Sequence, residues 1–166
     1  MTGDSRGSKD ARSIDAAKSL PATARRAPVS HAIFRVARLT RMIGASLLRP
    51  VGLYPGQEIV MMYLWDLGPQ RQVDLVRLTG SDAATMTRMI RRLEHAGFVR
   101  RSPSTEDKRA FLIEATPASR GLRKAIEDIW NEVEEITVGG PSNQERQTVL
   151  RVIEDLENRL SRAASL

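Results

Sequence analysis

Cysteine is absent from the 166 residues, histidine occurs twice, and Phe, Trp and Tyr together make up only 4%. Without cysteine the chain can form no disulfide, no thiolate metal site and no thiol-based redox sensor, which fits a reducing compartment. The two histidines, His31 and His95, have no carboxylate three or four residues further along, so neither has the helical spacing of a metal ligand pair or an oriented general base. There is no glycine-rich phosphate loop. No catalytic residue, cofactor or metal is therefore expected. Long apolar runs are missing too. The longest, Ile59 to Trp65, falls far short of the roughly 20 residues of a membrane-spanning helix. The N-terminus carries no apolar stretch of the secretory kind, so a cytoplasmic protein without a membrane partner is expected. With so few aromatics the core must be built from Leu, Ile, Val, Met and Ala, and the length suits one domain with a modest core.

What the chain does have is localised charge. Residues 70–110 hold nine basic and five acidic side chains, whereas residues 111–166 hold seven basic and ten acidic ones. A basic middle is the electrostatic footprint of a polyanion partner, and equally of ordinary solvated surface, so charge alone does not decide between them.

The order of elements decides more. Residues 1–29 are rich in Ser, Ala, Arg and Gly and read as a mobile N-terminal tail, with at most a transient helix over 12–20. A helix is expected from about His31, with Ser30 as N-cap, to Leu48. Its apolar face is Ile33, Val36, Ala37, Ile43, Leu47 and Leu48, and Pro50 and Gly52 end it. The run from Ile59 to Trp65 reads as a buried helix behind Pro55. Two short helices follow, Gln70–Leu78 and Ala83–Ala96, joined by a tight turn at Gly80. Asp82 is the N-cap of the second, and Gly97 closes it. This is a helix-turn-helix pattern. Phe98–Ser102 and Ala110–Ile113 read as the strands of a hairpin with a charged tip. A long helix, Ser119–Thr137, ends at Gly139-Gly140-Pro141. Ser142-Asn-Gln-Glu145 is a capping box in front of a last helix, whose stripe is Val149, Ile153, Leu156 and Leu160.

With Met86, Ile90 and Leu93 turned inward, the helix from Ala83 leaves Ala84, Thr85, Thr87, Arg88, Arg91 and Arg92 free to face outward. Small residues let a helix enter the major groove, and Arg can donate two hydrogen bonds to guanine. At the hairpin, Arg100, Arg101, Lys108 and Arg109 crowd one ribbon. An Arg there is drawn to a narrow minor groove, and Asp107 is placed to hold the guanidinium of Arg109. Asp82, Ala84, Thr85, Thr87, Arg88, Arg91, Arg92, Arg101, Asp107, Lys108 and Arg109 are the candidate DNA contacts.

The stretch Ala83-Ala-Thr-Met-Thr-Arg-Met-Ile-Arg-Arg-Leu-Glu-His-Ala-Gly-Phe-Val-Arg-Arg101, continued through Glu106-Asp-Lys-Arg-Ala110 to Thr116-Pro117, resembles the MarR regulators. Thr85, Thr87, Arg88, Leu93, Gly97, Asp107 and Arg109 fill that family's pattern. Thr79, Ser81 and Ser119 depart from it: the first two stand where apolar residues are usual, the third where Gly is. The resemblance implies a mainly α fold with a small β-hairpin wing. This would be a winged helix-turn-helix over 53–116, with dimerisation helices over 30–52 and 117–163. It further implies a homodimer on a pseudo-palindromic double-stranded operator, Arg109 in the minor groove, and a small aromatic or anionic effector that relieves repression. Tyr54, Tyr63 and Trp65 lie around the second helix and Arg35, Arg38 and Arg41 along the first; Arg38, Tyr63 and Trp65 are the candidate effector contacts, with plain core packing as the alternative for the rings. A helical dimerisation or protein-adaptor module without specific DNA binding is the second functional reading.

Overall fold

The computed structural model describes residues 22–103, 111–140 and 142–164. Residues 1–21, and with them the expected helix over 12–20, lie outside this range. So do the hairpin-tip residues Asp107, Lys108 and Arg109. Residue contacts divide the chain into two units, Met1–Thr40 and Arg41–Leu166.

The first unit holds a short helix, α1 (Ala22–Arg26), and the start of α2 (Pro28–Leu48). Here the structure corrects the expected boundaries. Helix α2 begins at Pro28 rather than His31, so Ser30 lies inside the helix rather than capping it, and residues expected in the tail are helical. The reason is local. Proline is pre-set for the first helical turn, where its missing N–H costs nothing, and the His31 N–H reaches back to the Ala27 carbonyl at 3.1 Å.

In the second unit a 3₁₀ turn (Arg49–Val51) closes on Gly52, and α3 (Gln57–Leu67) follows. The apolar run from Ile59 to Trp65 is thus the expected buried helix, with Val60, Met61 and Leu64 buried. Next come β1 (Gln70–Arg71), α4 (Gln72–Thr79), α5 (Ala83–His95), β2 (Val99–Pro103) and β3 (Phe111–Ala115). A further 3₁₀ turn (Pro117–Ser119) leads into α6 (Arg120–Val138), followed by α7 (Asn143–Ala164). The sheet is antiparallel in the order β1-β3-β2, with Arg101 opposite Ile113 and Gln70 on the other side of Ile113. Gln70 and Arg71, expected to open a helix, are instead the third strand of the sheet.

One apolar core joins α3, α4, α5, the sheet and the first half of α6. Leu75, Met86, Ile90, Leu93, Val99, Ile113, Leu122 and Ile126 are buried in it. The aliphatic and Met composition of this core follows from the shortage of aromatics. By contrast, α7 buries no residue at all. Its reciprocal capping box is formed: Glu145 Oε2 accepts from the Ser142 N–H at 2.7 Å and from the Ser142 hydroxyl at 2.8 Å. Among the described residues no helix is long and apolar enough to cross a membrane.

Candidate nucleic-acid interface

Helix α5 is held in place at its N-terminal end and from beneath. Asp82, in extended conformation, accepts the Thr85 N–H at 2.7 Å and satisfies one of the orphan donors of the first turn. Hydrogen bonds from Thr85 hold its carboxyl below the usual carboxylate range. The preceding turn needs a left-handed residue, and Gly80 supplies it at φ +62°. Thr79 and Ser81, polar where apolar residues are usual, close this turn through their hydroxyls at 3.0 Å, and Thr79 also donates to the Leu75 carbonyl at 2.7 Å. From beneath, Met86, Ile90 and Leu93 are fully buried.

At about 100° per residue, this anchoring turns Ala84, Arg88, Arg91 and His95 straight away from the core, and all four are exposed. Thr85 and Arg92 flank one side of that line, and Thr87 flanks the other. The Arg88 guanidinium donates to Thr85 Oγ1 at 2.9 Å, which holds it over the N-terminal half of the helix. Thr87 is differently employed. Its hydroxyl donates to the Ala83 carbonyl and accepts from Gln72 Nε2, both at 2.8 Å, so it joins α4 to α5. The only carboxylate in α5, Glu94, is off the outward line and pairs with Arg101 at 3.4 Å. Arg101 shares the Ile113 face of the hairpin, which turns it toward α5. Arg100, on the opposite face, is tied to its cross-strand neighbour Glu114.

Sequence reasoning weighed His95 only as a metal ligand or general base, yet it stands four residues after Arg91 and seven after Arg88. That spacing was the available signal. It also treated Tyr54 as one of the rings near the second helix, whereas its ring lies under the Arg92 guanidinium, 4.7 Å from the centroid. Of the candidate effector residues, Tyr63 and Trp65 pack against the core of the second unit, while Arg38 belongs to the first and is exposed. The Trp65 indole N–H donates to Ser119 Oγ at 3.1 Å, and Ser119 is completely buried. Its hydroxyl thus explains a serine where glycine is usual. Among the described residues no group of three or more His, Asp or Glu could hold a metal ion.

Residues 53–111 match the model of the MarR family. The chain is 28% identical to the HTH-type transcriptional repressor NicR of Pseudomonas putida over 97 residues, 58% of this chain and 61% of that protein. It is 38% identical to the uncharacterised HTH-type regulator YwoH of Bacillus subtilis over 86 residues, 52% of this chain and 62% of that protein. It therefore spans about three fifths of the length of these relatives. Among solved structures it is similar to BpsR of Bordetella bronchiseptica, whose DNA binding is regulated by 6-hydroxynicotinic acid. That likeness has a TM-score of 0.71 at 26% identity and covers 78% of this chain and 92% of that one.

Proposed function

We propose that the protein, whose residues 53–111 match the MarR family model, is a sequence-specific DNA-binding transcriptional regulator. The observation that carries this reading is the outward line of α5: Ala84, Arg88 and Arg91 on a capped helix, with no carboxylate on that face. Ala84 leaves room for the helix to approach the groove floor, and Arg88 can reach guanine O6 and N7. Residues 53–116 read DNA in this proposal, with Lys108 and Arg109 reaching the minor groove from the wing.

The protein acts as a homodimer through residues 30–52 and 117–163. What supports this is apolar surface left in water within each unit. In α7 Val149, Leu150, Val152, Ile153 and Leu160 are exposed, and in α2 Ile33, Phe34, Val36 and Leu39 are. A twofold pair of recognition helices then meets successive major grooves roughly 10 bp apart on a pseudo-palindrome. The repressor naming of NicR and the ligand control of BpsR support the finer reading, in which the regulator is a cytoplasmic repressor released by a small aromatic anion. Such a ligand acts only by preferring one conformation over another.

Selection of bound duplexes from a random pool tests the reading. A symmetric motif is expected, and Arg88→Ala should lose about 1–3 kcal/mol of affinity and relax one base preference. No enrichment at low salt would refute DNA reading and leave the adaptor role. An Arg88→Ala variant that weakens all sequences equally would refute the base contact.

A further inference from the structure

Beside the C-terminal half of α5 lies an open cavity of about 410 Å³ that the outward line of the helix does not account for. Its walls are the turn after α2, with Leu53 and Tyr54, the first residue of α3, Gln57, and the α5 side chains Arg91, Arg92 and His95. Among the described residues no carboxylate lines it. Three features make it a built anion site rather than a chance dent. First, Gln57, only 2% exposed, holds the turn to the helix: its Oε1 accepts the Tyr54 N–H at 2.8 Å, and its Nε2 donates to the Met89 carbonyl at 3.3 Å. Second, Gly56 lets the turn come this close. It has φ +94°, and a Cβ there would meet Met89 Sδ at 3.1 Å. Third, Tyr54 so held places its ring 4.7 Å from the Arg92 guanidinium carbon. A guanidinium held against an aromatic ring can still donate its N–H groups to a phosphate or carboxylate. Arg91 and His95, on the same α5 wall as Arg92, have no side-chain hydrogen-bond or ion-pair partner among the described residues.

We propose that this cavity seats a phosphate group of the DNA backbone, held by Arg92 on its Tyr54 platform together with Arg91 and His95. The inference rests on the DNA-binding reading above. Arg91 and His95 belong both to the cavity and to the line that faces DNA, so whatever enters the cavity lies alongside the duplex. The N-terminal half of a recognition helix goes deepest into the groove, and its C-terminal half comes out beside the backbone. The negative end of the α5 dipole disfavours an anion there. Arg91 and Arg92 in the last turns offset it, and their mutual repulsion is relieved when an anion arrives. The clamp fixes register and orientation and carries no sequence information.

The test measures operator affinity against salt for the full chain and for Tyr54→Ala, Arg92→Ala and His95→Ala, with phosphate-ethylation interference on each. All three residues are exposed, so the fold should survive, and circular dichroism checks it. Each variant should bind several-fold more weakly with an unchanged base preference. Arg92→Ala should flatten the salt slope by about 0.9 and abolish interference at one phosphate per half-site. If all three bind like the wild type while Arg88→Ala is weakened, the clamp is refuted and DNA reading stands. If the wild type enriches no sequence, the underlying reading has failed instead. If no ethylation position depends on these residues, yet millimolar inorganic phosphate at matched ionic strength inhibits the wild type and not His95→Ala, the cavity takes a free anion and the backbone assignment is overturned.

Discussion

Removing the Ser119 hydroxyl should destabilise the fold through Trp65. Ser119 is fully buried at the start of α6, and its Oγ accepts the Trp65 indole N–H at 3.1 Å while donating to the Thr116 carbonyl at 2.8 Å. In Ser119→Ala the Thr116 carbonyl keeps a partner, because it also accepts the Ser119 backbone N–H at 3.1 Å. The indole N–H loses its acceptor. An orphaned donor in such a site costs about 1–3 kcal/mol, so a loss of about 2 kcal/mol is expected. For a chain of this length that lowers Tm by about 4–8 °C. Urea and thermal unfolding followed by circular dichroism, at one protein concentration, measure it. The argument is specific to one contact, so Trp65→Phe is the partner variant: it keeps a ring and removes the donor. In that background Ser119→Ala should cost under about 0.5 kcal/mol, a coupling of about 1–2 kcal/mol within the usual range for residues in contact. Equal costs in the two backgrounds would refute the assignment of the destabilisation to this hydrogen bond.

Three further outcomes follow from named groups. Asp82 and Glu145 have carboxyls held below the ordinary range, the first by hydrogen bonds from Thr85 and the second by those from Ser142. Their stabilisation is present above the unfolded-state value near pH 4 and disappears as pH falls through the lower folded-state value. Asp82→Asn, which still caps, should therefore show a shallower drop in Tm between pH 5 and 2 than the wild type, and parallel curves would count against the cap. Glu58 has the opposite sign: burial pushes its carboxyl up, against the hydrogen bonds from its own N–H and that of Gly56. Glu58→Gln should be more stable than the wild type at pH 7, with the gain vanishing as pH falls below the raised value. A constant difference across the range would refute the role of burial. Ile153→Glu, in the middle of the exposed stripe of α7, should give a helical monomer in sedimentation equilibrium, and an unchanged dimer would move the interface elsewhere.

Much of the fold could be read locally. Caps, left-handed glycines and apolar periodicity act over one to four residues, which is why Asp82, Gly80, the Ser142–Glu145 box and the Met86–Ile90–Leu93 stripe are all where periodicity and capping rules put them. The same range explains the error at Ser30, where two local signals compete and the proline two residues earlier starts the helix. The outward line of α5 was legible in principle, including His95, because helical spacing alone determines it.

The partners of the charged and polar side chains were not legible. Arg100 and Arg101 are adjacent in sequence and looked alike, but alternation across the sheet sends one to Glu114 and the other toward Glu94. Gln70 and Arg71 become a strand only because β3 offers them an edge. Thr87 turns from the groove side to Gln72, Tyr54 to Arg92, and Trp65 to Ser119, 54 residues away. Sequence by itself determined which segments are helices and which face of each is apolar, since those are short-range hydrogen-bonding and burial preferences. Tertiary structure alone decided which arginines are spent on carboxylates and which remain free for an anion, because that depends on what packing across long separations brings within a few ångströms.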